Sequence, residues 1–165
     1  MPFSAAAVAN EFLHLAYRDK ETITPLKMQK LVYFAHGWHL AITGKPLLQE
    51  PIQAWQYGPV ISSLYQQFKE CGSSPITFPA SILTQGSYLP AELDREGNPA
   101  DVAMARQIIE RVWKQYHRYS ASALTTFTHS DDTPWALVPT KDLPEQIIPN
   151  DSIRNYFARQ AANAR

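Results

Sequence analysis

Residues 24–44 read TPLKMQKLVYFAHGWHLAITG, and the fold turns on them. Thr24 is an N-cap, because its hydroxyl can accept from a free N–H of the first turn. Pro25 follows at the first helical position, where a missing N–H costs nothing. Ile23 and Met28 sit at the positions of a hydrophobic staple. Gly44 suits the left-handed stop after the last turn. The spacing predicts one helix of about 19 residues, roughly 28 Å long at the usual rise per residue.

On the helical wheel, Met28, Leu31, Val32, Phe34, Ala35, Trp38, Ala41 and Ile42 cover more than half the circumference. Gln29, His36 and Thr43 fall seven apart and share one narrow polar stripe. Lys27 and Lys30 lie on the apolar side near the helix start, where their heads are expected to snorkel into water. A helix this apolar is contacted on several sides, so it is read as the central helix. Trp38 is expected to be fully buried within it.

Working outward, Ser4 to Arg18 carries Val8, Phe12 and Leu15 at helical spacing behind a Ser4 cap. Downstream, Ile52 to Tyr57 alternates as a short strand. Pro59 is read as opening a third helix, with Val60, Leu64 and Phe68 at four-residue steps and Gly72 as its stop. Residues 73–98 hold turn formers, with Ile76–Phe78 and Ser87–Leu89 as candidate hairpin strands and an acidic, solvated end (Glu92, Asp94, Glu96). Asn98-Pro99 opens a long helix to about Tyr119, Ser120 caps a short one through Phe127, and a last one starts near Asn150. The expected architecture is mostly α. It is a single compact globular domain over 1–165 of about six helices around the buried central one, with a short strand or hairpin region and a frayed 160–165 tail.

Fifteen Lys and Arg balance fifteen Asp and Glu in 165 residues. That balance argues against nucleic acid, whose capture rests on neutralising phosphates, and no helix is short, basic and polar on its outer face as a recognition helix is. The single Cys71 allows no intramolecular disulfide. With no signal sequence evident, it points to a reducing, cytoplasmic setting. No apolar run reaches the length of a membrane span.

Catalytic chemistry finds little support in the residue pattern. His36 and His39 stand three apart, about 60° on the wheel, without the further ligands that zinc needs. His36 is read as making a buried hydrogen bond, and His129 as capping a helix end or holding its loop. Cys71 lies in a last helical turn, where the dipole disfavours a thiolate. Asp131 and Asp132 are adjacent, and adjacent carboxylates seldom face one another; an Asp or Ser ahead of Pro134 reads as a helix start. A metal-dependent hydrolase built on His129, Asp131 and Asp132 is the rival reading. Trp55, Tyr57, Tyr65 and Trp135 sit beside turns or at helix starts, and two readings stay open for them: core packing, or a protein-binding patch.

Three blocks resemble the Panacea family, the SocA-like antitoxins formerly grouped as phage-associated GepA-type proteins. They are ITPLKMQKLVYFAHGWHLAITGKPLL (23–48), IQAWQYGPVISSLYQQFKECG (52–72) and LTTFTHSDDTPW (124–135), followed by Ile153, Tyr156 and Phe157. The motif positions are Lys30, Leu31, Tyr33, His36, Gly37, Trp38, Trp55, Tyr57, Gly58, Pro59, His129, Pro134 and Trp135. Met28 departs from the usual Leu, His36 stands where Gln is common, and 73–98 does not match. The resemblance implies a non-enzymatic, cofactor-free antitoxin, often carried on prophages, that binds a toxin protein encoded beside it. One branch instead delivers its toxin to a AAA+ protease. The motif residues are expected to be scaffold, and toxin contact is expected on residues 73–98, 99–119 or 150–160.

Overall fold

The computed structural model describes residues 2–139 and 146–164. In chain order the elements are α1 (Ala5–Arg18), α2 (Pro25–Thr43), β1 (Ile52–Trp55), β2 (Gly58–Val60), α3 (Ser62–Phe68), β3 (Ser81–Thr84), β4 (Ser87–Pro90), α4 (Leu93–Glu96), α5 (Pro99–Tyr116), α6 (Ala121–His129), β5 (Ile147–Ile148) and α7 (Asn150–Asn163). A 3-10 turn, Lys69–Cys71, closes α3. The fold is mostly α, with seven helices among the described residues where the sequence suggests six. The extra one, α4, falls in the stretch read as a solvated loop.

α2 begins and ends as its residues dictate. The Thr24 hydroxyl accepts from Lys27 N, and Gly44 adopts φ 75° at the stop. The helix touches α1, α3, α5, α6, α7 and β2. Ile42 escapes this enclosure and is exposed, and Trp38 is only half-buried. The polar stripe is not a wet face: Gln29 and His36 are both buried.

α7 seats on α2 through one missing side chain. A Cβ on Gly37 would stand 2.6 Å from Phe157 Cζ and nearer still to the rest of that ring edge. Phe157 therefore lies flush on the backbone of α2, edge-on to Tyr33, Phe34 and Trp38. α7 continues to Asn163, past Gln160 where the sequence reading ends it.

β1 pairs antiparallel with β2 and β5, in the order β2-β1-β5. The register sets Trp55 opposite Gly58 and Ile52 opposite Ile148. Ile52 and Ala54 face the core while Gln53 and Trp55 face outward, the alternation of a half-buried strand. Gly58 to Val60 is a strand and not a helix start, and α3 begins at Ser62. A proline beside a turn satisfies the same local rule in either role.

The second hairpin is β3–β4, with Ser81 opposite Pro90 and Thr84 opposite Ser87. Its second strand falls where the sequence suggests, covering Ser87–Leu89, while its first is Ser81–Thr84 and Ile76–Phe78 forms no strand. Gln85 and Gly86 both take positive φ, 50° and 84°, as the twist of a two-residue hairpin turn requires. Asn10 holds its base by accepting from Ala80 N and donating to Ala80 O and Ala91 O. Gln67 does the same from α3, donating to Ser81 O and accepting from Ser81 N.

The acidic segment before α5 is tied down. Glu96 accepts from Ser4 N at 2.6 Å and from the Ser4 hydroxyl at 2.7 Å, while Glu50 accepts from Ala5 N at 2.9 Å. Two carboxylates thus meet the positive end of α1. Asp94 and Glu11 both pair with Arg106 on α5.

Candidate functional site

The motif residues converge on the turn between β1 and β2. Gln29 and Lys30 are adjacent on α2 and diverge toward the two ends of β2. The Gln29 amide donates to Ile61 O at 3.1 Å and accepts from Ile61 N at 2.9 Å, as a neighbouring strand would. The Lys30 ammonium donates to Tyr57 O at 2.6 Å. From the other side, the Trp135 indole donates to Trp55 O at 2.7 Å. Two buried side chains and the half-buried Trp135 thus hold the backbone at 55, 57 and 61.

Lys30 does not snorkel; it has no exposed surface. Burial lowers its pKa from 10.5 to about 8, since a desolvated ammonium is disfavoured. No carboxylate among the described residues forms an ion pair with it. Room for the ammonium comes from Gly58. That residue has φ 112°, and a Cβ there would collide with Lys30 Nζ and lie 3.1 Å from both His129 Nε2 and Thr128 Oγ1. Both the conformation and the space demand glycine.

The loop after α6 closes the back of this arrangement. His129 stacks on Trp135, ring centroids 3.9 Å apart and planes 8° apart. Thr133 donates to Thr128 O at 2.7 Å and Ser130 O at 2.8 Å, folding the loop onto the helix end. No helix starts at Pro134; residues 131–137 are turns. His129 is thus the last residue of α6 and lies against the loop that follows it.

His36 lies two turns further along the polar stripe, in its middle. Leu48 N donates to its Nδ1 at 3.3 Å, which places the proton on Nε2 for donation to Asn150 Oδ1 at 2.9 Å. Burial lowers its pKa to about 4. It therefore joins α2 to the start of α7 as a neutral ring. His39 is turned elsewhere, donating through Nδ1 to Lys45 O at 2.7 Å.

The rival reading's residues do not converge. Asp131 and Asp132 are exposed, and burial, helped by the Asp132 carboxylate, raises the pKa of the Tyr156 phenol. Among the described residues no three of His, Cys, Asp and Glu gather as metal ligands.

Over the clamped turn the surface is aromatic. Tyr57 is 66% exposed and Tyr65 is 46% exposed. Trp55 is half-buried and meets Tyr65 edge-on at 5.1 Å. With Leu26, Val60 and Lys69 they line a groove of about 270 Å³. A second apolar surface is the β3–β4 hairpin, where Leu83, Tyr88 and Leu89 are exposed.

Residues 28–136 match the family described as antitoxin SocA-like, Panacea domain. The chain belongs to this family. It is also 33% identical over 136 residues to "Antitoxin SocA" of Caulobacter vibrioides (strain NA1000 / CB15N), which covers 81% of this chain and 69% of that protein. No solved structure matches it. The matched span of the Panacea domain holds the whole clamp, from Gln29 and Lys30 to Trp135. No helix among the described residues is long and apolar enough to cross a membrane.

Sequence reasoning identified Lys30, Tyr57, Gly58, His129 and Trp135 through the family motifs. It missed Gln29, Thr128, Thr133 and Asn150 as working partners. The stripe of Gln29 and His36 was the available signal, since a polar line on an otherwise apolar helix needs buried partners.

Proposed function

We propose that this protein is the antitoxin of a toxin–antitoxin pair, and that it neutralises a protein toxin by binding it directly. Membership of the SocA-like antitoxin family is the observation that carries this reading. The surface agrees with it. Exposed apolar side chains sit on turns whose backbones are fixed from inside, so their geometry is set before a partner arrives and little ordering entropy remains to oppose docking.

Of the three segments expected to make contact, 73–98 has the best support. Its hairpin projects Leu83, Tyr88 and Leu89 outward and is anchored at its base by Asn10 and Gln67. The α5 helix instead spends exposed charge within the molecule, through Arg106 and Glu110. The mode of action is occlusion, with no chemical step on the toxin.

The test is growth of cells expressing the adjacent reading frame, with and without this protein. The neighbour alone arrests growth, and co-expression restores it. A harmless neighbour, or one still lethal when both proteins are made, contradicts the reading.

A further inference from the structure

The backbone that Lys30, Trp135 and Gln29 hold lies under the most exposed aromatic of the motif blocks, Tyr57. Tyr57 O is fixed by a fully buried ammonium, and positions 55 and 61 are fixed by Trp135 and Gln29. A buried ammonium without a carboxylate partner opposes folding. Holding an exposed tyrosine at a turn tip contributes nothing to the core that would offset this. The arrangement is understood if the geometry of the turn itself is what matters.

The groove beside that turn has a definite chemistry. Its walls are Leu26, Trp55, Tyr57, Val60, Leu64 and Tyr65. Among the described residues Lys69 is the one charged residue lining it, and it is exposed. Among the described residues no carboxylate lines the groove, and Lys69 forms no ion pair with any of them. An apolar trough with one available ammonium at its rim complements an apolar side chain flanked by a carboxylate.

We propose that this groove, and not the hairpin alone, is the anchoring site for the toxin. It takes a toxin segment that places an apolar side chain between Trp55, Tyr57 and Tyr65 and an Asp or Glu against Lys69. The proposal rests on the antitoxin reading and deepens it. α3 and the 3-10 turn that closes it join the two surfaces: Tyr65 and Lys69 line the groove, and Gln67 grips the hairpin.

The experiment titrates the purified product of the adjacent reading frame into this protein and into Tyr57→Ala, Lys69→Glu and Tyr88→Ser. Each variant's melting curve is recorded, and each is co-expressed with the neighbour. Tyr57 and Lys69 are exposed, so melting is expected to be unchanged. Tyr57→Ala and Lys69→Glu are expected to weaken binding by roughly tenfold or more, as hot-spot truncations do, and to lose growth rescue. Lys69→Glu also flattens the salt dependence of the affinity. If both variants bind and rescue as the parent does, or only Tyr88→Ser weakens binding, the groove is not the anchor while the antitoxin reading stands. If the parent neither binds nor rescues, the antitoxin reading fails and the groove assignment fails with it.

Discussion

The Lys30 ammonium reaches from the middle of the core to the carbonyl oxygen of Tyr57, 2.6 Å away, at the tip of a surface turn. Lys30 has no exposed surface and Tyr57 is 66% exposed, so one hydrogen bond ties the interior of α2 to the outermost ring of the motif.

Burial of the ammonium makes alkaline stability a readout of Lys30. Its folded pKa of about 8 lies below the ordinary 10.5, so the unfolded chain binds the extra proton between those values. Stability should therefore rise with pH from 8 toward 10.5, by up to about 3 kcal/mol from this group alone. Denaturant titrations of the parent and of Lys30→Met across that range should diverge, the variant lacking the rise. Parallel curves would show that Lys30 is solvated.

Gly58 should tolerate no side chain. Gly58→Ala combines backbone strain at φ 112° with a collision against Lys30 Nζ, and should cost about 2 to 4 kcal/mol. In a Lys30→Ala background the cost should shrink, because the collision partner is gone. Gly86→Ala is the control: its φ is 84° with open space around it, so it should cost only about 1 kcal/mol. Equal losses at the two glycines would remove the clash from the account.

His36 should make the protein sensitive to acid. Its folded pKa of about 4 lies below the ordinary 6.5, so its contribution is complete above pH 6.5 and is lost as pH falls toward 4. The loss attributable to the ring is about 3 kcal/mol. His36→Gln preserves an acceptor for Leu48 N and a donor for Asn150, so it should flatten that slope while leaving neutral stability close to the parent's. An unchanged slope would place the acid response elsewhere.

Gly37→Ala should dislodge Phe157, and with it α7, at a cost of about 1 to 3 kcal/mol typical of overpacking. Loss of amide protection concentrated in α7 by hydrogen exchange would report this directly. Uniform protection would mean that α2 and α7 have room to spare.

The two large helix tryptophans should differ. Trp113 is buried and donates to Asp19 Oδ2 at 2.7 Å, so Trp113→Ala should cost about 3 to 5 kcal/mol. Trp38 is half-buried, and its truncation should cost less than that. Thermal melts of the two variants decide the order, and a costlier Trp38→Ala would contradict the placement.

Much of this architecture was legible because its signals are local. Thr24-Pro25 and Gly44 state where α2 begins and ends in the chemistry of the residues themselves, and Asn98-Pro99 states where α5 begins, though the helix stops at Tyr116 and not at Tyr119. What was illegible depended on distant partners. A helical wheel shows that Lys30 lies on the apolar side but not that Tyr57 O waits there, so snorkelling was the natural expectation. Glu96 looks solvated until Ser4, far away in the chain, is folded against it. Pro59 obeys helix-start and strand rules alike, and only its pairing with Ala54 decides between them. β5 has two residues, too few for any period to show. At the surface, sequence placed aromatics near turns without revealing which were exposed: Trp55 and Trp135 went half inside, Tyr57 stayed out.

The central claim is that this protein captures its toxin by direct contact. The most direct test is size-exclusion chromatography with light scattering on the purified protein mixed with the purified product of the adjacent reading frame. The account predicts a shared peak whose mass exceeds either component. Separate elution of the two, while co-expression still restores growth, would contradict it.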